Sequence, residues 1–321
     1  MPFRTRLTER LGIRHPVLLA PMALVSGGAL AGAVTAAGGL GIIGGGYGNA
    51  DWLEQQFAAA GNQRVGCGFI TWSLAKQPAL LDRVLAHRPV AVMLSFGDPA
   101  PFVAKIRASK ATLICQVQTV AMAREAAKAG ADIIIAQGSE AGGHGATRGT
   151  LPLVPAVRDA TATEHPDCIV VAAGGIGDGR GVAAALTLGA EGVLVGTRFY
   201  AATESLAHSN GKARMVAASG DQTYRTSLYD VMRRLDWPEV FTARILRNAF
   251  SRRWRGDEAG LLESEEARYH AAVTAGDFEI APVYAGEGVD LVRDILPAAD
   301  IMARLVAEAE AALDRANGFI A

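Results

Sequence analysis

The sequence predicts an α/β fold, a (β/α)8 TIM barrel carrying an inserted, mainly helical subdomain. Three observations lead there. Eight apolar, β-branched runs recur between Val17 and Phe199. Ala/Leu-rich segments with helical spacing separate them, and near-continuous apolar strands alternating with helices mark a parallel sheet covered on both faces. The length of 321 residues suits a barrel of about 250 residues plus an appendage. A doubly wound open sheet is the alternative arrangement of the same units.

The expected strands are 17–22, 40–44, 65–72, 90–96, 112–119, 132–137, 168–176 and 192–199. Helices are expected between them, clearest at 119–129 and 181–188, where apolar residues fall at helical spacing. The run between Arg14 and Asp51 lacks any Asp, Glu, Lys or Arg and superficially resembles a targeting or spanning segment. Pro16, Pro21 and ten glycines interrupt it, so it reads instead as two buried parallel strands around a small-residue helix. After Phe199 the alternation stops. Residues 204–278 read as mostly helical, and 289–316 returns as an amphipathic helix that would complete the barrel's outer ring. The expected organisation is a barrel from 1–203 and 284–321, with 204–283 as a substrate-side helical insertion.

Lys plus Arg number 31 against 32 Asp plus Glu, so no excess field favours nucleic acid or an anionic membrane as partner. Within the insertion, Arg233, Arg234, Arg244, Arg247, Arg252, Arg253 and Arg255 are distributed among aromatic residues. Asp236, Glu239, Asp257, Glu258, Glu263, Glu265 and Glu266 answer them, as on a solvated ion-pair surface. Cys67, Cys115 and Cys168 lie within apolar strand-like runs without a C-x-x-C pair, which suits a reducing cytoplasm and neither disulfides nor structural zinc. No spacing of His, Cys, Asp or Glu forms a metal-ligand pattern, and Gly-x-Ser-x-Gly is absent.

The glycines are unequal. Gly39-Leu40-Gly41-Ile42-Ile43-Gly44 satisfies a dinucleotide fingerprint, but it follows a helix-like stretch and lies within a strand. That context indicates tight helix-to-strand packing. Gly174-Gly175 and Gly196-Thr197 instead occupy the ends of the seventh and eighth strands, where such barrels grip phosphate. There Thr197 can add a hydroxyl, and the helix starting near Asp178 is expected to present unpaired amides. His144, in Gln137-Gly138-Ser139-Glu140-Ala141-Gly142-Gly143-His144-Gly145, follows the sixth strand. Its glycine neighbours should leave the imidazole unshielded, and an ordinary imidazole pKa of about 6.5 suits a base. Gln116, a polar interruption at the end of the fifth strand, could bond a heterocycle edge. Glu140 could orient the loop.

These residues resemble the nitronate monooxygenase family, formerly called 2-nitropropane dioxygenases. The resemblance rests on Ala20-Pro21-Met22, the Gly-rich second strand, the segment from Gln137 to His144, 173–176, Gly196-Thr197-Arg198-Phe199 and Ala285-Gly286-Glu287-Gly288-Val289. It implies an FMN-dependent barrel in which Ala20, Pro21 and Met22 line the flavin, and Gln137, Gly142 and Gly143 touch it, while Gly174, Gly175, Gly196 and Thr197 hold its phosphate. By the same resemblance His144 would be the catalytic base, while Gln116, read from its position at the strand end and not from the resemblance, could bond the flavin's pyrimidine edge. The implied reaction uses O2 to convert nitronates or nitroalkanes to carbonyl compounds and nitrite. A homodimer is compatible with the sequence. Many relatives carry an asparagine on the third strand where this chain has Gly68. The sequence is also similar to FMN-dependent enoyl-acyl carrier protein reductases and NADH:quinone reductases. A reductase and a non-redox phosphate-ligand barrel therefore stand as alternative functions.

Overall fold

Eight parallel strands form the barrel: β1 (Val17–Leu19), β2 (Ile42–Gly46), β3 (Gly66–Ile70), β4 (Ala91–Ser95), β5 (Thr112–Val117), β6 (Ile133–Gln137), β8 (Ile169–Ala173) and β9 (Val193–Val195). The computed structural model describes residues 3–254 and 261–320, without the side chains of 261–264. The strand order is β1-β9-β8-β6-β5-β4-β3-β2, and a parallel bridge between Leu18 and Leu40 closes β1 onto the approach to β2. Closure excludes the open-sheet alternative.

Alternation along each strand builds two cores. Leu18, Ile42, Met93, Ile114, Ile133, Ile135, Val171 and Leu194 fill the interior. Their neighbours Leu19, Ile43, Val92, Leu113, Ile134, Val170 and Val193 face the helices. Each such fully buried side chain contributes about 1.5–3 kcal/mol. The helix Arg6–Leu11 plugs the barrel's N-terminal end, with Leu7 and Leu11 joining the interior cluster. Thr5 starts that helix with a capping box.

The discounted fingerprint is a packing device. A Cβ on Gly41 would lie 1.8 Å from the Ala31 carbonyl oxygen, so the helix Gly28–Ala36 approaches β2 more closely than any side chain allows. At the other end of the chain the amphipathic segment begins its α-helix at Ala298, not 289, because a 3-10 turn (Glu287–Leu291) and Pro297 come first. This helix, Ala298–Asn317, packs on Gly179, whose Cβ would lie 2.3 Å from the Ala309 amide nitrogen.

The insertion departs from its expected character. It holds the helices Ser209–Val216, Leu228–Met232, Ala249–Arg253 and Leu261–Ala275, but also two strands, β10 (Thr223–Thr226) and β11 (Thr242–Leu246). These form an antiparallel sheet with β7 (Gly143–Gly145), the short strand that carries His144, in the order β10-β11-β7. The insertion is thus stitched to the loop after β6 by backbone pairing. Its arginines are not uniformly solvated either. Arg244 is 8% exposed, and its guanidinium bonds the Ser139 carbonyl and pairs with Glu287. Arg233 lies over the Tyr47 ring, 4.8 Å from its centroid. Arg234 and Arg253 do form outer ion pairs, with Glu266 and Glu265. Arg255, Asp257, Glu258 and the Glu263 side chain lie outside the described residues. No helix among the described residues is long and apolar enough to cross a membrane.

Candidate active site

The loop after β6 is fixed from both sides before His144 is placed. The Glu140 carboxylate accepts hydrogen bonds from the Thr150 amide and hydroxyl, all at 2.9 Å, anchoring the loop to the start of the helix Thr150–Glu164. This is an orienting role. From the other side the Arg225 guanidinium donates to the Ser139 and Gly145 carbonyls, and Arg244 donates to Ser139. Burial, together with the neighbouring Arg244 charge, pushes the Arg225 guanidinium down to about 10.

His144 pairs with Ala243 across β7 and β11. Its imidazole is not left open by the flanking glycines, as the sequence suggested, because residues from the insertion cover it. The side chain is only 9% exposed. Nε2 lies 2.9 Å from both carboxylate oxygens of Asp230, and the Trp237 ring stacks on the imidazole with centroids 3.4 Å apart and planes 3° from parallel. Phe96 adds an edge contact at 6.3 Å. Trp237 is held in turn by Tyr47, whose hydroxyl accepts from Nε1 at 3.1 Å.

This arrangement decides the proton's place. Nε2 must donate to Asp230, because an ionised carboxylate only accepts. The lone pair of the neutral ring therefore sits at Nδ1, which makes no hydrogen bond with the described residues. Stacking covers the face of a ring, whereas that lone pair lies in the ring plane, so Trp237 fixes the imidazole without occupying its basic edge. Burial pushes the His144 pKa below the ordinary imidazole value, opposed by Asp230 and assisted by the Arg233 and Arg225 charges.

The mouth-facing glutamines bond one another. Gln137 Oε1 accepts from Gln116 Nε2 at 3.1 Å and from the buried Gln118 Nε2 at 2.8 Å, while Gln137 Nε2 donates to the His144 carbonyl at 3.1 Å. Gln116 Nε2 thus has a protein partner rather than pointing freely into the mouth.

The glycines divide by what surrounds them. A Cβ on Gly142 would lie 2.7 Å from the Ala285 carbonyl carbon, and one on Gly174 would lie 2.8 Å from Thr150 Oγ1. Both are packing positions. Gly143 and Gly175 adopt φ of +72° and +73°, and a Cβ would meet nothing within 4 Å at Gly143 and only Glu140 at Gly175. Gly196 begins the short helix Thr197–Tyr200 without a side-chain cap, beside Ala20 and Met22, which follow β1 together with Pro21. Thr197 Oγ1 accepts from the Gly286 amide at 3.0 Å and keeps its own proton for donation. One expected contribution fails. The helix Gly179–Thr187 has no free N-terminal amides there, because Asp178 accepts from the Arg180 and Gly181 amides and Glu308 accepts from Gly179.

Asp230, Trp237, Gln118 and Tyr284 were missed by sequence reasoning. Asp230 is 86 residues from His144, and no motif spacing connects them. Cys67, fully buried on β3 with its thiol pushed up to about 12 by burial, is no nucleophile.

The profile of the family described as nitronate monooxygenase matches residues 4–63 and 70–308. The chain belongs to the nitronate monooxygenase family. The break in the match, 64–69, takes in all of β3 but Ile70, including Gly68, where a Cβ would lie 2.5 Å from the Pro21 side chain. Nitronate monooxygenases of Neurospora crassa, Metarhizium robertsii and Pseudomonas aeruginosa are 33%, 38% and 35% identical to it. Those alignments cover 96%, 92% and 94% of this chain and 93%, 91% and 98% of the relatives. Among solved structures, FabK from Thermotoga maritima aligns with a TM-score of 0.87 at 32% identity, covering 99% of this chain and all of that one. A nitroalkane oxidase from Streptomyces ansochromogenes aligns with a TM-score of 0.80 at 30% identity, over 96% of this chain and 99% of that one.

The depressed His144 pKa has a thermodynamic consequence. Below pH 6.5 the unfolded imidazole takes up a proton that the folded one resists, so stability falls with falling pH, by at most about 1.4 kcal/mol per pH unit for one proton. Urea denaturation of wild type and His144→Gln between pH 5 and 7.5 should show a steeper acid decline in wild type. Parallel curves would mean that the folded imidazole takes up its proton as the unfolded one does, and a gentler acid decline in wild type would mean that it is held charged in the fold.

Proposed function

We propose that this enzyme oxidises alkyl nitronates and nitroalkanes with O2 to carbonyl compounds and nitrite, using FMN as its cofactor. The observation that carries the reading is the buried His144–Asp230 pair at the barrel mouth, with its basic nitrogen uncommitted. The mouth also fits the cofactor. Only side chains stand near Gly175 and Gly196, Glu140 at the first and Ala20 and Met22 at the second, and neither amide donates to a described residue. Gly175, Gly196 and Thr197 would hold the phosphate, Ala20, Pro21 and Met22 would line the ring system, and Gly143 and the Gln116–Gln137 pair would border it. When bound, FMN supplies the redox centre between substrate and O2.

The chain's own contribution is a proton transfer. His144 Nδ1 takes a proton from the carbon bearing the nitro group, and the electron pair of that C–H bond moves into the C=N bond of the nitronate. Asp230 keeps Nε2 protonated and stabilises the imidazolium that results. The stacked Trp237 face stabilises the same cation. A preformed nitronate needs none of this.

A second reading, an FMN-dependent NAD(P)H reductase acting on a quinone or an enoyl thioester, draws support from the likeness to FabK. Anaerobic mixing with NADH separates the two. Inertness together with nitrite release from ethyl nitronate in air is expected here, and rapid flavin bleaching would favour the reductase.

His144→Ala should retain flavin and lose about 10²-fold or more in kcat/KM on neutral nitroethane, with a much smaller loss on its nitronate. In wild type the acid limb for nitroethane should fall below pH 6.5, since the imidazole must be neutral to act and burial holds its pKa down. Unchanged nitroethane kinetics in the variant would remove the base role. Gly175→Val puts a branched side chain at a left-handed position beside the phosphate site and should reduce flavin content, read from visible absorbance. Full occupancy would place the phosphate elsewhere.

A further inference from the structure

The small sheet aligns a second polar side chain with His144. Directly opposed residues in an antiparallel pair share a face, and alternate residues of one strand share a face. His144 opposes Ala243, and Tyr284 forms an antiparallel bridge with Ile245, two residues further along β11. Both lie on the same side of β11, because the Leu246 amide bonds the Val283 carbonyl where the pairing with β7 ends. The two rings consequently face one region, with centroids 6.5 Å apart.

The Tyr284 hydroxyl is closed off from solvent, its polar neighbour is the Arg233 guanidinium, which can only donate, and its own proton has no acceptor among the described residues. A buried hydroxyl whose proton has no acceptor is uncommon and costs stability. Tyr229 shows the ordinary solution in the same insertion: its hydroxyl donates to the Ile280 carbonyl at 2.8 Å and meets Asn248. Other unpartnered groups at the mouth, Thr71 Oγ1 and Trp72 Nε1, belong to the helix Thr71–Lys76, and Trp72 makes ring contacts with Tyr47 and Trp237 but not with His144. Arg233, Asp230, Tyr47 and Tyr269 are the charged and titratable groups facing Tyr284. Burial raises its pKa and the Arg233 charge pulls it back, leaving the phenol protonated and able to donate.

Proton removal from a nitroalkane places a full negative charge on the two nitro oxygens, and stabilising that charge requires a donor fixed beside the base. We propose that Tyr284 is a catalytic hydrogen-bond donor, its phenol holding one oxygen of the substrate's nitro or nitronate group while His144 addresses the adjacent carbon. The phenol donates without transferring its proton. The carbon's proton goes to Nδ1, and the charge on oxygen is shared between Tyr284 and the nearby Arg233 guanidinium. The class of substrate that this pair selects is a planar, two-oxygen anion or its neutral precursor. The proposal deepens the nitronate reading and rests on it.

The test compares flavin-loaded wild type, Tyr284→Phe and the control Tyr229→Phe. Because the Tyr284 hydroxyl donates to nothing in the described protein, Tyr284→Phe should keep flavin content and lose less Tm than Tyr229→Phe, which removes a donated hydrogen bond. Propionate matches the nitroethane anion in charge and shape, and its binding can be followed by tryptophan fluorescence. Tyr284→Phe should weaken that binding about tenfold or more and lower kcat/KM on nitroethane by about 10²-fold, a typical loss for one oxyanion donor, with the acid limb unmoved. Unaltered propionate binding and kinetics, or a Tm loss like that of Tyr229→Phe, would overturn the assignment. Nitrite release by wild type tests the nitronate reading separately: its absence, with Tyr284-dependent propionate binding intact, would sink the oxidation and leave the anion-holding role standing.

Discussion

A buried imidazole that is to remain neutral and basic must give its one N–H to a fixed acceptor, and the contact between His144 and Asp230 meets that requirement. The rest of the site follows from it. Asp230 comes from a five-residue helix in the insertion, so the insertion has to be registered against the loop after β6 to within hydrogen-bond tolerance. The three-stranded sheet provides the registry, because pairing β7 with β11 fixes both the height of His144 and the face on which it projects. Arg225 and Arg244 reinforce the join: both donate to the Ser139 carbonyl, and Arg225 also donates to the Thr242 carbonyl on β11.

The surroundings of His144 combine two opposing influences. Exclusion of water by Trp237 and Phe96 lowers the imidazole pKa, while the carboxylate raises it. The result keeps the base neutral near neutrality without stripping it of affinity for a proton. Trp237 reaches the ring from the stretch between the helix Leu228–Met232 and β11, held by one hydrogen bond to Tyr47 and by edge contacts with Phe96, Phe241 and Trp72. The insertion therefore supplies both the carboxylate that pairs with the imidazole and the ring that covers it.

At the ends of β6 and β8 the glycines fall into two kinds. Gly142 and Gly174 let segments pack closely, and Gly286 does so against the Glu140 carbonyl. Gly143 and Gly175 turn at φ of +72° and +73°, and where a Cβ would stand Gly143 has no neighbour within 4 Å and Gly175 has only Glu140. Gly68 on β3 also serves close approach, since the Pro21 ring fills the direction in which a side chain there would grow.

Much of the fold was legible in the chain. All eight strand segments fall where the apolar runs lie, because burial on both faces of a closed parallel sheet imposes a local composition that one sequence displays directly. The glycine loops and His144 were legible for a similar reason: a strand end in a barrel is a position in sequence as well as in space. The partners of His144 were not. Asp230, Trp237 and Tyr284 sit in a stretch that reads as helical and charged, and no local rule distinguishes a carboxylate that will meet an imidazole from one that will face water. The strands β10 and β11 were missed for the same cause, since their pairing with three residues after β6 compensates for weak strand character. Sequence alone determined the barrel, its family and the position of His144 after a strand end, which depend on local pattern. Tertiary structure decided the tautomer, the covering of the ring and the donors around it, which depend on contacts between residues tens of positions apart.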